Sequence, residues 1–148
     1  MYYACHGGHL EVVRELLARG AAFGAVSSSG YTLLHIACLM GRLEVVRELL
    51  ARGAAMGAAD DDGNTPLHNT SSLEVARELL AQGATVDAVT TPAVSIASRR
   101  GHLKVVRELL ARGASHAAEA NDGQTALSLA VIFAHHAVAK LLRAAGAV

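Results

Sequence analysis

The sequence predicts an all-α array of stacked helix-turn-helix units carrying short hairpin fingers, and three observations lead there. The segment LEVVRELLARGAA occurs verbatim at 10–22 and 43–55, and LKVVRELLARGAS follows at 103–115. The residue opening each copy recurs as Leu10, Leu43, Leu73 and Leu103, with His136 in the fifth place, at spacings of 33, 30, 30 and 33. A period near 33 marks a supersecondary unit stacked on its neighbours. Apolar residues make up 52% of the 148, mostly Ala, Leu and Val, with five Tyr and Phe in all and no Trp, which suits close-packed helices.

The second half of each unit reads as an amphipathic helix. In the 43–53 copy Leu43, Val46, Leu49 and Leu50 share one face at helical spacing. Glu44 with Arg47, and Glu48 with Arg52, form weak surface pairs on the other face. Gly53 then supplies the left-handed residue that ends the helix, as Gly20, Gly83, Gly113 and Gly146 do elsewhere. The first half is a shorter helix, seen at 30–37 (GYTLLHIA) and 63–67 (GNTPL). There Thr65 is the expected N-cap and Pro66 the first helical residue, where a missing N–H costs nothing. The spacer AAMGAADDDGN at 54–64 is small, polar and Gly-rich, as a turn or hairpin requires.

DGNTPLH at 62–68, TLLHIACLMGRLEVVRELLARGA at 32–54 and NDGQTALSLA at 121–130 resemble the ankyrin repeat, and the resemblance covers essentially the whole chain. It implies two antiparallel helices per repeat, a projecting β-hairpin finger and a curved solenoid. About five repeats then form one domain over 1–148, at approximately 1–28, 29–61, 62–88, 89–121 and 122–148. One unit alone cannot offset an ordering cost of ~1–2 kcal/mol per residue of backbone, so stability resides in the contacts between repeats. The first repeat enters inside its first helix and the last carries no convincing polar cap. A fragment, or a chain with covered ends, is the expectation.

Nothing in the pattern suggests catalysis. His35 and His68 occupy the His of the Thr-Pro-Leu-His turn, which in the resembled family bonds backbone between repeats. His9 and His102 share one slot, and neither His6–His9 nor His135–His136 has the Cys, Asp or Glu partners that zinc brings. Cys5 and Cys38, 33 apart, stand on stacked helices ~8–10 Å apart, too far for a disulfide, and read as small core residues. Asp60-Asp61-Asp62 reads as a hairpin tip, since no Glu follows at calcium-loop distance. Lys plus Arg equals Asp plus Glu, 13 each, so no net field favours nucleic acid. No 18-residue apolar run or leading apolar segment is present, and an intracellular protein without cofactor, metal or membrane insertion is expected.

What the repeat does not need is a row of variable residues on the finger tips and first helices. The resemblance makes that side the concave, partner-binding face. Its members are Ser28, Ser29, Tyr31, Leu39 and Met40 in repeat two, and Asp61, Asp62 and Asn64 in repeat three. Arg99 and Arg100 follow in repeat four, then Asn121, Asp122, Gln124, Ile132 and Phe133 in repeat five. The expected role is non-enzymatic binding of a protein or peptide. The alternative is a structural subunit, or a piece of a larger protein, packed permanently against neighbours.

The third repeat is short. His35 to Leu43 is eight residues, but His68 to Leu73 is five, so its first helix loses ~4.5 Å. Ser71-Ser72-Leu73-Glu74 reads as a capping box with Ser71 as cap. Gly83 to Gly101 is 18 residues where Gly20 to Gly41 is 21, so the finger of repeat four is expected to be missing, with Pro92 opening the next helix. These two deficits predict a weak interface mid-array. Amide hydrogen exchange should be earliest around 66–72 and 86–92, and uniform protection across the repeats rejects that expectation.

Overall fold

The repeated segment LEVVRELLA folds as a nine-residue helix at each occurrence, in a computed structural model that describes residues 1–22, 24–86, 92–120 and 122–148. Ten helices are present among the described residues: α1 (Tyr2–Gly7), α2 (Leu10–Ala18), α3 (Leu33–Leu39), α4 (Leu43–Ala51), α5 (Pro66–Asn69), α6 (Leu73–Ala81), α7 (Ala93–Arg99), α8 (Leu103–Ala111), α9 (Ala126–Ile132) and α10 (His136–Ala144). They pair as first and second helix of successive repeats, as an all-α repeat fold requires. The chain divides into two compact units, Met1–Ala84 and Thr85–Val148. The division falls in the stretch between Gly83 and Gly101 that is three residues short.

Within the first unit the second helices stack on one another, α2 on α4 and α4 on α6. Their apolar face is turned from the predicted one: Val45, Val46 and Leu49 are buried, whereas Leu43 and Leu50 are only half-buried. The reason is the neighbour. Val45 and Val75 are 1% and 0% exposed, but Val12, at the same slot of α2, is 51% exposed, and among the described residues no earlier second helix packs on it. That slot therefore packs one second helix on the preceding one, at ~1.5–3 kcal/mol per buried side chain.

Ion pairs bridge the same stack. Arg14 Nε donates to Glu48 at 2.9 Å, and Arg47 Nε to Glu78 at 2.8 Å. The predicted Glu44–Arg47 and Glu48–Arg52 pairs are formed alongside them, at 3.0 and 3.1 Å. Exposed pairs of this kind are screened and add less than the valines do.

The short repeat is short where expected: α5 has four residues, against seven in α3, α7 and α9. The cap of α6 differs from the predicted box. Ser72, not Ser71, accepts from the Val75 N–H and donates to Glu74 at 2.8 Å. Ser71 is drawn away because the lost turn lays it against α3, where its hydroxyl donates to the Leu39 carbonyl at 3.0 Å. Pro92 is likewise the N-cap of α7 and not its first helical residue, its carbonyl accepting from Ser95. The fingers are tight turns, two of which carry one antiparallel bridge each, Val26–Thr32 and Glu119–Thr125, in place of paired strands among the described residues. The expected missing finger of repeat four falls largely on 87–91, outside the described residues.

One turn residue recurs between first and second helices in the left-handed region: Gly8, Gly41 and Gly101 at φ 79°, 65° and 75°. A Cβ on Gly101 would also lie 2.6 Å from His135 Nδ1. In the fifth repeat this slot holds Ala134 at φ 57°, the one non-glycine at positive φ among the described residues. Such a conformation strains an L side chain. Ala134→Gly should therefore raise stability by about 0.5–1 kcal/mol in urea unfolding, and Gly101→Ala should lower it by about 1–2 kcal/mol.

Candidate functional site

The finger tips are held by side chains placed before them. Asp60, 6% exposed, accepts through Oδ1 from the Asp62 and Asn64 N–H groups at 3.0 and 2.8 Å, and through Oδ2 from Asn69 at 3.4 Å. Ser27 Oγ does the same for Ser29 and Tyr31, at 3.2 and 3.1 Å. The acidic run is thus partly structural: Asp60 builds the turn, and Asp61 and Asp62 stand exposed on it. The two fingers touch, the Asp61 N–H donating to the Ser29 carbonyl at 3.3 Å. A Cβ on Gly30 would come within 2.8 Å of the Asp61 nitrogen.

Each of these two fingers leads into a first helix through a threonine and a histidine. The Thr32 N–H donates to His35 Nδ1 at 3.1 Å, so that nitrogen carries no proton and the ring is neutral. The proton sits on Nε2, which donates 3.0 Å to the Asn64 carbonyl of the next repeat. Thr65 and His68 repeat the local half of this arrangement at 3.2 Å. Tyr31 packs edge-on against His35, ring centroids 5.6 Å apart.

At the far end of the first helices the last carbonyls face the following repeat. Arg42 Nε donates to the His6 carbonyl, Ser71 Oγ to that of Leu39 and His135 Nε2 to that of Arg99, each at 3.0 Å. These bonds were not legible in the sequence, because Arg, Ser and His share no pattern.

The predicted row is placed in two groups. In the first unit Ser28, Ser29, Asp61 and Asp62 are exposed, while Tyr31, Leu39, Met40 and Asn64 are half-buried. In the second, Arg99, Asp122, Ile132 and Phe133 are exposed and Arg100 and Gln124 half-buried. Asp122 and Gln124 engage each other, at 3.1 Å for both the backbone and side-chain bonds. Asn121 lies outside the described residues. Arg99-Arg100 and Ile132-Phe133 end α7 and α9, which pack together.

The model of the ankyrin repeats (three copies) matches residues 1–90 and 69–148. The chain belongs to the ankyrin-repeat family. Among curated proteins none matches it. Ankyrin repeats generally mediate contacts between proteins and are typically non-enzymatic. The ankyrin frame explains the buried titratable groups. Among the described residues no three His, Cys, Asp or Glu side chains gather to hold a metal, and no helix is long and apolar enough to cross a membrane. Cys5 and Cys38 are buried thiols whose pKa values burial pushes up.

Burial holds His35 below the ordinary imidazole range, against the opposing pull of its bond to Asn64. His102 is lowered too, by burial first and then by the charges of Arg100 and His135. Glu48 is lowered chiefly by its bond from Arg14, and Glu78 by Gln82 and then Arg47. For the histidines the unfolded chain binds protons first as pH falls, so their stability is full above about pH 7 and drains below the ordinary value of about 6.5. The glutamates add a second loss below their ordinary 4.5. Urea midpoints measured from pH 8 to pH 4 should show both declines, and His102→Gln should shrink only the upper one.

Proposed function

We propose that the chain is a non-enzymatic module that binds a partner protein or peptide with its finger tips and first-helix ends, the side that is concave in the family. The observation that supports this most directly is variation at one repeated slot. The final pair of the first helix reads Leu39-Met40, Arg99-Arg100 and Ile132-Phe133, while the alanine two residues before it (Ala37, Ala97, Ala130) and a left-handed turn residue after it (Gly41, Gly101, Ala134) are kept. A frame that repeats and an accessible pair that does not is the division expected of a recognition surface. Met and aromatic side chains at such a pair supply adaptable anchors, and arginine supplies a directional charge.

Selection from a random peptide library against the whole chain tests the reading. Enriched peptides should bind in solution and lose about tenfold in affinity when Leu39 and Met40, or Ile132 and Phe133, are changed to serine. Enriched peptides indifferent to every substitution on this side would place binding elsewhere.

A further inference from the structure

The two units carry opposite charge. Nine carboxylates accompany six Lys and Arg in Met1–Ala84, and four accompany seven in Thr85–Val148, so with neutral histidines the balances are −3 and +3. The excess shows in the second helices. Glu11, Glu44 and Glu74 stand in the first turns of α2, α4 and α6, but Lys104 fills that slot in α8, and α10 has no acidic residue in its first turn. An acidic first turn offsets the positive helix end, and here that offset is missing.

The geometry concentrates this charge at one turn. His135 Nε2 donates to the Arg99 carbonyl at 3.0 Å, and its ring lies directly over Gly101. His102 feels both Arg100 and His135 as repulsive neighbours. The cationic Arg99 and Arg100 therefore share one turn with the His102 and His135 rings. One repeat on, at the slots matching Arg99 and Arg100, Ile132 and Phe133 are 62% and 51% exposed. An apolar pair beside a cationic pair is a two-part surface, since apolar contact excludes the water that would screen the charges.

We infer that this corner of Thr85–Val148 docks an acidic peptide segment of a partner protein, with a carboxylate on the exposed Arg99 and an apolar side chain on Ile132 and Phe133. The inference rests on the module reading and names the chemistry of the partner. A nucleic acid fits less well. Phosphate backbones are tracked by stripes of Lys and Arg, whereas half of this surface is aliphatic and phenyl.

The test is fluorescence anisotropy on the whole chain with a short labelled peptide alternating Glu with Leu. The same peptide with Lys for Glu, the same with Ser for Leu, and a single-stranded oligonucleotide serve as comparisons. Only the Glu/Leu peptide should bind, and more weakly when salt rises from about 50 to about 200 mM. Arg99→Glu and Ile132→Ser should each cost about tenfold in affinity. Lys104→Glu restores the residue type of three sister repeats, so it should weaken binding by severalfold without lowering the melting temperature. Unchanged affinity in a folded Arg99→Glu protein, equal binding of the Lys peptide, or tighter binding of the oligonucleotide overturns the inference. If library-selected peptides bind while the Glu/Leu peptide does not, the acidic partner is rejected and the module reading stands. If neither binds, both fall.

Discussion

The final carbonyls of a helix have no partner within it, and a short helix has few other bonds to set against that deficit. Here first helices of six or seven residues have one such carbonyl closed by the following repeat, at His6, Leu39 and Arg99. The donors differ in length and charge, yet each bond measures 3.0 Å. What is held constant is the backbone position. The intervening glycine is part of the same device, because a Cβ on Gly8 or Gly101 would meet the incoming side chain at 2.8 or 2.6 Å, and one on Gly41 would lie 3.2 Å from the Cβ of Ser72, next to the incoming Ser71. The stacking of repeats and the position of the variable pair thus follow from one contact.

The deletion in the third repeat shows how local this control is. Arg14 reaches Glu48 across 34 residues, and Arg47 reaches Glu78 across 31, with nearly the same geometry. The difference is the three residues lost before Leu73. The second helices therefore keep their register, and the whole deficit is absorbed by α5. Two polar contacts accommodate it: the buried Asn69 turns back to Asp60, and the exposed Ser71 takes over a bond that an arginine makes one repeat earlier.

The helices and glycine turns were legible because they depend on periodicity and on backbone conformations that few residues adopt. The intrahelical pairs were legible for the same reason, being set by spacing alone. The buried face was read one residue off, since Leu43 and Leu50 look as apolar as Val45 and only a neighbouring helix decides between them. The cap at Ser72 was misread for a related cause. Two adjacent serines both satisfy a local motif, and a contact 32 residues away assigns them. Of the candidate surface, the sequence gives identities but not exposure: Tyr31 and Met40 are half-buried, while Ile132 and Phe133 stand out.

Variation has different consequences at different slots of this frame. At the end of a first helix the backbone is tied down, so His6, Leu39 and Arg99 can differ without disturbing it. In the helix interior the same freedom is harmful. Ser95 takes the slot of His35 and Ser98 that of Cys38; both are 0% exposed, and their hydroxyls have no hydrogen-bond partner among the described residues. A buried hydroxyl left unsatisfied costs about 1–3 kcal/mol. Ser95 also lacks the reach of the imidazole that ties His35 to the next repeat. The fourth repeat therefore combines a poorly satisfied interior with the largest positive charge of the five. That combination is intelligible if a bound acidic partner, by pairing with Arg99, stabilises the repeat that binds it.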